Sequence, residues 1–219
     1  MYLAINKNGF SIEASNNKLE PVIQNINKTI DKSLLFETIK IENGKIYNLK
    51  LHQARVDRTF KELFKQKSNI NLKSILQDIP KHGLYRAKVV YSSKKVEDIS
   101  YIIYKAKKIK KILLVEVGDF EYKYKYLDRT PFDNLQKYNF DEILITTNGY
   151  LRDTTIANIA LKSSSNSWFT PKEALLNGTY REKLLNLSKI KQKSIHYKDL
   201  ANFNKIATLN AMVGFNKLS

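Results

Sequence analysis

Asn43-Gly44 and Asn148-Gly149 each stand between two strand-like runs, and such a pair supplies the positive φ angles of a tight reversal. The first joins "LLFETIKI" (34–41) to "IYNL" as a hairpin, and the second separates "DEILITT" from "YLRD". "LHQARVDRTFKELFKQ" (51–66) follows the first hairpin as an amphipathic helix. Val56, Phe60, Leu63 and Phe64 make its apolar stripe, while His52, Arg55 and Thr59 fall on a separate one. "GLYRAKVVYSS" and "ISYIIYKA" read as two more strands, which completes an α+β unit of about 100 residues. Past a lysine-rich stretch at 104–111 the texture turns strand-rich: "KILLVEVG", "DEILITT", "YLRD", "IANIAL", "SWFT" and "KIATLN". One clear helix, "TYREKLLNL" (179–187), interrupts them. The expected organisation is α+β: an N-terminal domain at 1–105, a linker at 106–111, and a barrel-like mixed-sheet domain at 112–219.

Composition narrows the chemistry. The 219 residues, 42% apolar and 27% charged, are ordinary for a globular chain, and no apolar run is long enough to span a bilayer. "MYLAINKNGF" lacks the charged start and apolar stretch of a secretory signal, so a cytoplasmic protein is expected. There is no cysteine, and His52, His82 and His196 are widely spaced, so no metal site is expected. A catalyst here must use Lys, Arg, Asp, Glu, Tyr, Ser or Thr, or borrow a cofactor. The net charge of +17 first suggests nucleic acid. The 38 basic residues are spread from Lys7 to Lys217 with no nucleic-acid motif, which fits a lysine-rich composition or an anionic small-molecule substrate better.

Four stretches could carry chemistry, and each has a plainer reading. In "LLNGTYREKLL" (175–185), Thr179 and Glu182 have capping-box spacing. A helix start there would suit a phosphate, or would simply be well capped. "NGYLRDTTIANIAL" (148–161) sets Asp153 after a strand pair, followed by Asn158, and can also be an ordinary turn. Arg55 among polar neighbours reads by itself as a solvated side chain. "EYKYKYLDRTP" (121–131) alternates Tyr122, Tyr124 and Tyr126 with Lys123 and Lys125, the pattern of a half-buried strand.

Taken in order, the hairpin with "LHQARV", then "KYLDR", "DEILITTNGYLRDTTIANIAL", "TPKEALLNGTYREKLL" and "LNAMVG" resemble the class IV aminotransferases, the fold-type IV pyridoxal-phosphate enzymes. The resemblance runs from about residue 34 to 215. It implies a two-domain fold, an N-terminal α/β sandwich and a C-terminal barrel-like domain with the cofactor cleft between them, and a homodimer. It also implies that Lys125 of "KYLDR" is the Schiff-base lysine, with Lys123 outside the pocket. Arg55 matches the phosphate-binding arginine of an "H-x-x-R" helix. Thr179 and Tyr180, after Gly178, match residues whose N–H groups bind the phosphate. Asp153 stands where most members carry the glutamate that faces the pyridine nitrogen, and Asn158 goes with the same cofactor-binding set. A Schiff-base lysine has to lose its proton to attack. Because Lys123 and Lys125 would share one face of a regular strand, the assignment requires the chain to bend around 124–126.

Thr38 in "FETI" and Asn210 in "LNAMVG" are similar to the lyase branch, and Arg86 is a candidate for holding a substrate carboxylate. The implied reaction is conversion of 4-amino-4-deoxychorismate to 4-aminobenzoate and pyruvate, a step of folate biosynthesis. The alternatives are a branched-chain or D-amino acid aminotransferase and, outside the enzymes, a basic nucleic-acid-binding protein. The opening "MYLAINKNGFSIEASNNKLEPVIQ" departs from the family pattern.

Overall fold

The structure, a computed structural model, describes residues 1–26, 29–135 and 138–219. Its elements begin with β1 (Tyr2–Asn6), β2 (Gly9–Glu13), β3 (Val22–Ile23), β4 (Leu35–Glu42), β5 (Lys45–Ile46), α1 (Leu49–Glu62) and α2 (Leu72–Ile75). There follow β6 (Leu84–Tyr91), β7 (Val96–Ile103), β8 (Lys111–Glu116), α3 (Thr130–Asp133), β9 (Glu142–Thr147) and β10 (Tyr150–Thr154). The chain closes with β11 (Asn158–Ser163), β12 (Trp168–Pro171), α4 (Thr179–Asn186), β13 (Lys191–Lys193), a 3-10 turn (Tyr197–Asn202), β14 (Phe203–Asn210) and β15 (Gly214–Lys217). No helix among the described residues is long and apolar enough to cross a membrane.

Contacts divide these elements into two units. The larger holds Met1–Thr29, Lys107–Lys123 and Arg129–Ser219; the smaller holds Ile30–Ala106 and Tyr124–Asp128. This departs from the simple division at 105. The first 29 residues join the larger unit because β1 pairs antiparallel with β8, at Leu3 opposite Ile112, and β3 pairs parallel with β8 at Val22 and Val115. Residues 124–128, with Lys125, join the smaller unit because Phe36 N donates to Lys125 O (2.9 Å) and Leu127 N to Leu34 O (2.8 Å).

In the smaller unit the sheet runs β5-β4-β6-β7, all antiparallel. Asn43 and Gly44 turn the first hairpin at φ 50° and 75°, the left-handed pair that the sequence calls for. β4 alternates cleanly: Leu35, Glu37, Ile39 and Ile41 are buried, and Phe36, Thr38, Lys40 and Glu42 only partly so. The buried face lies in register with Ala87, Val89 and Tyr91 of β6, and Tyr91 stacks on Phe60 of α1 (6.0 Å between centroids). Helix α1 starts and ends earlier than the expected 51–66. Lys65 takes φ 57° and Gln66 N returns to Phe60 O (3.2 Å), which closes the last turn and leaves Leu63 and Phe64 outside it. Its buried face is His52, Arg55, Val56, Thr59 and Phe60, so the separate polar stripe is buried together with part of the apolar one.

The larger unit holds two open sheets, β10-β9-β8-β1-β2 with β3 added beside β8, and β13-β12-β11-β14-β15. β9 is buried along its whole length, as a parallel neighbour of β8 must be when both of its faces are covered. Leu3, Ile112, Leu114, Leu144 and Leu151 from the first sheet pack with Ile159, Leu161 and Ile206 from the second in one core. Each such side chain, fully buried, stabilises by roughly 1.5–3 kcal/mol. The ladders do not close, so the barrel-like domain is a mixed pair of sheets over a shared core.

Candidate active site

In the larger unit the turn between β10 and β11 is held from inside. Thr154 Oγ1 accepts from Ala157 N (3.1 Å), and the buried Glu142 accepts from Thr155 Oγ1 (2.5 Å) and N (3.2 Å). Arg129 Nη2 donates to Thr155 O. This folding sets Asp153 beside Asn158, whose Nδ2 donates to Asp153 Oδ1 (2.7 Å) and to Leu176 O (2.8 Å). Leu176 N donates to Asp153 Oδ2 (2.9 Å). Asp153 is only 4% exposed. Burial pushes its carboxyl up to about 6; the bonds from Leu176 and Asn158 and the more distant Arg181 and Arg152 charges offset only part of this. Among the described residues no cation is ion-paired with it.

Gly178 lies against the other end of Asn158. A β-carbon at Gly178 would fall 2.1 Å from Asn158 Oδ1, so the residue that opens α4 can have no side chain. Gly178, not Thr179, is the N-cap, and it makes no side-chain cap. Thr179 is the first helical residue and is buried, so the expected Thr179–Glu182 box is not formed; the first helical bond is Glu182 N to Gly178 O (2.9 Å). The N–H groups of Thr179 and Tyr180 have no carbonyl one turn earlier within the helix. Arg181, not picked out from the sequence, fastens this helix start. Its Nη2 donates to Pro171 O (2.8 Å), its Nε to Thr170 Oγ1 (3.2 Å) and its Nη1 to Asn177 Oδ1 (3.2 Å).

Asn210 ends β14, and its Oδ1 accepts from Met212 N and Val213 N (both 2.9 Å), shaping the turn to β15. The turn brings Gly214 against the Tyr180 ring, 3.3 Å from where a β-carbon would sit. The "LNAMVG" and "NGTY" stretches therefore meet. A separate cavity of about 690 Å³, lined among others by Glu116, Asn148, Gly149 and His196, includes none of the candidate catalytic, cofactor-binding or substrate-binding residues.

In the smaller unit, residues 121–131 form no strand. Tyr124 is a bend and Tyr126 makes one isolated bridge to Leu35. The half-buried strand expected from alternation is thus replaced by the break that separates the two lysines. Lys123 is exposed; Lys125 is half-buried with Nζ 4.3 Å from the centre of the Phe36 ring. Phe36, Thr38 and Lys40 lie on one face of β4, in register with Val90, Lys88 and Arg86 of β6. Lys88 Nζ lies 5.7 Å from the same Phe36 ring. Arg86 is half-buried and its Nε has no hydrogen-bond partner. Thr38, Arg86 and Lys88 therefore belong to one face, and Lys88 could have been found from the two-residue period of "YRAKVVY". Lys125 stands at the edge of β4 beside Phe36, and its charge is also felt at His52.

The opposite face of β4 holds Glu37, fully buried among aliphatic side chains. Arg55 grips it with a fork, Nε to Oε1 (2.8 Å) and Nη2 to Oε2 (2.5 Å), and His52 Nδ1 is 2.6 Å from Oε2. Burial pushes the Glu37 carboxyl up, but the Arg55 charge, the His52 contact and the Arg55 hydrogen bonds together hold it down to about 2. Burial lowers the His52 pKa more than Glu37 raises it. Arg55 is therefore not the solvated residue its neighbours suggest. The visible signal is Glu37 itself, a charge in the apolar phase of a strand, opposite polar residues three and four apart on a helix.

The sequence model described as amino-transferase class IV matches residues 132–217. A Haemophilus influenzae (strain Rd) protein described as uncharacterized is 38% identical over 187 residues, covering 82% of this chain and 98% of its own. A crystal structure of a provisionally named 4-amino-4-deoxychorismate lyase from Haemophilus somnus 129PT is 32% identical, with a TM-score of 0.77 over 85% of this chain and 100% of that one. A provisionally named amino-acid aminotransferase from Mesorhizobium loti shares the fold at 18% identity, with a TM-score of 0.71 over 85% of this chain and 98% of that one. The chain belongs to the class IV aminotransferase family.

Proposed function

We propose that the protein is a cytoplasmic, pyridoxal-phosphate-dependent lyase that converts 4-amino-4-deoxychorismate to 4-aminobenzoate and pyruvate. The observation that carries the cofactor reading is the Asp153–Asn158–Gly178 assembly. It holds a buried carboxyl that no cation among the described residues pairs with directly, and through one asparagine it also fixes the first residues of a helix. A protonated ring nitrogen suits the carboxyl, and a phosphate suits the helix start, so the residues fit the cofactor. When bound, pyridoxal phosphate supplies an electron sink for cleavage beside the substrate amine.

Each residue then has a limited task. Lys125 would hold the cofactor through Nζ and would carry a proton to or from the substrate carbon beside the amine. Thr179 and Tyr180 offer backbone N–H groups to the phosphate, and Arg55 offers guanidinium N–H. Asp153 would face the ring nitrogen and favour its protonated form. Thr38 and Arg86, with Lys88 in the same register, orient the carboxylates of an anionic substrate. Asn210 shapes the turn beside Tyr180. The homodimer implied by the resemblance is supported by the edge strand β7, where Ile102 and Ile103 are 41% and 67% exposed.

The lyase reading rests on Thr38 and on similarity to the provisionally named Haemophilus somnus protein. The deciding experiment incubates purified protein and pyridoxal phosphate with 4-amino-4-deoxychorismate and, separately, with amino-acid/keto-acid pairs. Formation of 4-aminobenzoate with pyruvate in equal amounts is expected. Amino transfer without 4-aminobenzoate makes the protein an aminotransferase. Borohydride reduction followed by peptide mapping should label Lys125; label on Lys123 overturns the assignment. Salt-sensitive oligonucleotide binding by a colourless protein would instead favour a nucleic-acid-binding protein.

A further inference from the structure

We propose that Glu37 is a positioning residue that fixes which edge of the Arg55 guanidinium meets the cofactor phosphate. The inference rests on the reading that Arg55 binds that phosphate, and it adds a residue on the core side of β4 to the cofactor machinery. The Arg55 fork onto Glu37 uses Nε and Nη2, which turns the Nη1 side of the planar group away from the carboxylate. An arginine held by two parallel bonds to a fixed partner has lost its rotational choices before any anion arrives.

The carboxylate is itself held. It sits on a strand paired along its length with β6, and His52 contacts Oε2 from the first turn of α1. An ionised carboxylate only accepts, so His52 Nδ1 carries the hydrogen of that bond. His52 Nε2 is then left as a buried acceptor with no hydrogen-bond partner. Such an assembly is poorly explained by stability: a buried ion pair is often no better than apolar residues of the same volume, and an orphaned ring nitrogen makes it worse. It is well explained by orientation. Glu37 also cancels the charge of Arg55, so the pair offers an anion directed N–H donors and little net charge.

The test compares pyridoxal phosphate with pyridoxal, which lacks the phosphate, as probes of the apoprotein, by absorbance and fluorescence titration. Wild type should bind the phosphorylated form at least tenfold more tightly. In Glu37→Gln this preference should fall on the order of tenfold, because the fork loses its charge-assisted bonds, while pyridoxal binding changes little. A role confined to folding would weaken both probes alike, and that result, or no change in either, overturns the proposal. Tighter binding of pyridoxal phosphate by Glu37→Gln also overturns it, since charge cancellation would then outweigh orientation. If Glu37→Gln does not fold by circular dichroism, Glu37→Asp keeps the charge and withdraws the carboxylate by one methylene; the preference should again fall. Wild type that binds neither probe defeats the cofactor reading itself, and Arg55→Ala with undiminished preference removes Arg55 from the phosphate. Each of those two results is distinct from a failure of Glu37 alone.

Discussion

Asn158 occupies the space in which Gly178 would otherwise carry a β-carbon, with Oδ1 2.1 Å from that position. The asparagine is pinned by its bonds to Asp153 and Leu176, so it cannot swing aside cheaply. Gly178→Ala should therefore destabilise the protein by about 1–3 kcal/mol, the usual cost of overpacking, and weaken cofactor retention. Asn158→Ala alone should cost a similar amount, because the buried Asp153 carboxyl and the partly buried Leu176 carbonyl both lose a donor. In urea denaturation the double variant should lose less than the sum of the two, since removing the asparagine makes room for the methyl group. Additive losses would show that the two residues do not share this space.

Asp153 sets a pH dependence of known sign. Its carboxyl is raised from 3.8 to about 6 in the folded apoprotein, so the folded state binds more protons than the unfolded one between those values. Its contribution to stability falls as pH rises through that window and is flat above about 6, a difference worth about 3 kcal/mol. Asp153→Asn should remove this slope. Denaturation of apoprotein at several pH values measures it, and identical slopes in the two proteins would contradict the assignment.

Glu37 acts in the opposite sense and in a separate window. Its folded pKa is lowered from 4.5 to about 2, so its contribution is present above 4.5 and is lost as pH falls towards 2. Wild type should lose more stability over that range than Glu37→Gln does. The comparison is read from urea midpoints in acid, and equal losses would mean that the Arg55 fork is not made in solution.

Arg181→Lys should be costly despite the retained charge. One ammonium cannot reproduce donors to Pro171 O, Thr170 Oγ1 and Asn177 Oδ1 together. A loss of about 1–3 kcal/mol is expected for the acceptors left without donors. Cofactor retention should fall as well, because the start of α4 loses its anchor. A thermal scan and a dialysis assay on the same preparation check both outcomes.

The sequence carried the local geometry further than the side-chain environments. Asn43-Gly44 and the alternation of "LFETIKIE" were enough to locate the first hairpin, because a reversal and a two-residue period are encoded within a few residues. The expected break near 124–126 was also legible, from the need to separate Lys123 and Lys125. The burial of Arg55 was not, because it depends on Glu37, which is 18 residues away in sequence. The membership of residues 1–29 in the larger unit was hidden for the same reason: it is decided by pairing with β8, more than a hundred residues downstream. Asn210 was singled out for substrate, yet its side-chain oxygen serves its own turn, a local use that an isolated asparagine does not advertise.

The short bridge from Tyr126 to Leu35 has a consequence for how the chain is made. β6 covers one edge of β4 throughout, and β5 covers only the far end of the other, so residues 124–128 complete the edge at Leu35. A ribosome releases the whole sheet of the smaller unit before it has polymerised that closing piece. A nascent chain stopped after residue 106 presents β4 with an open edge at Leu35 and Phe36, the kind of template to which stray strands add. The smaller unit thus cannot be excised as a continuous stretch of sequence, and the residue proposed for its chemistry arrives with the segment that seals it.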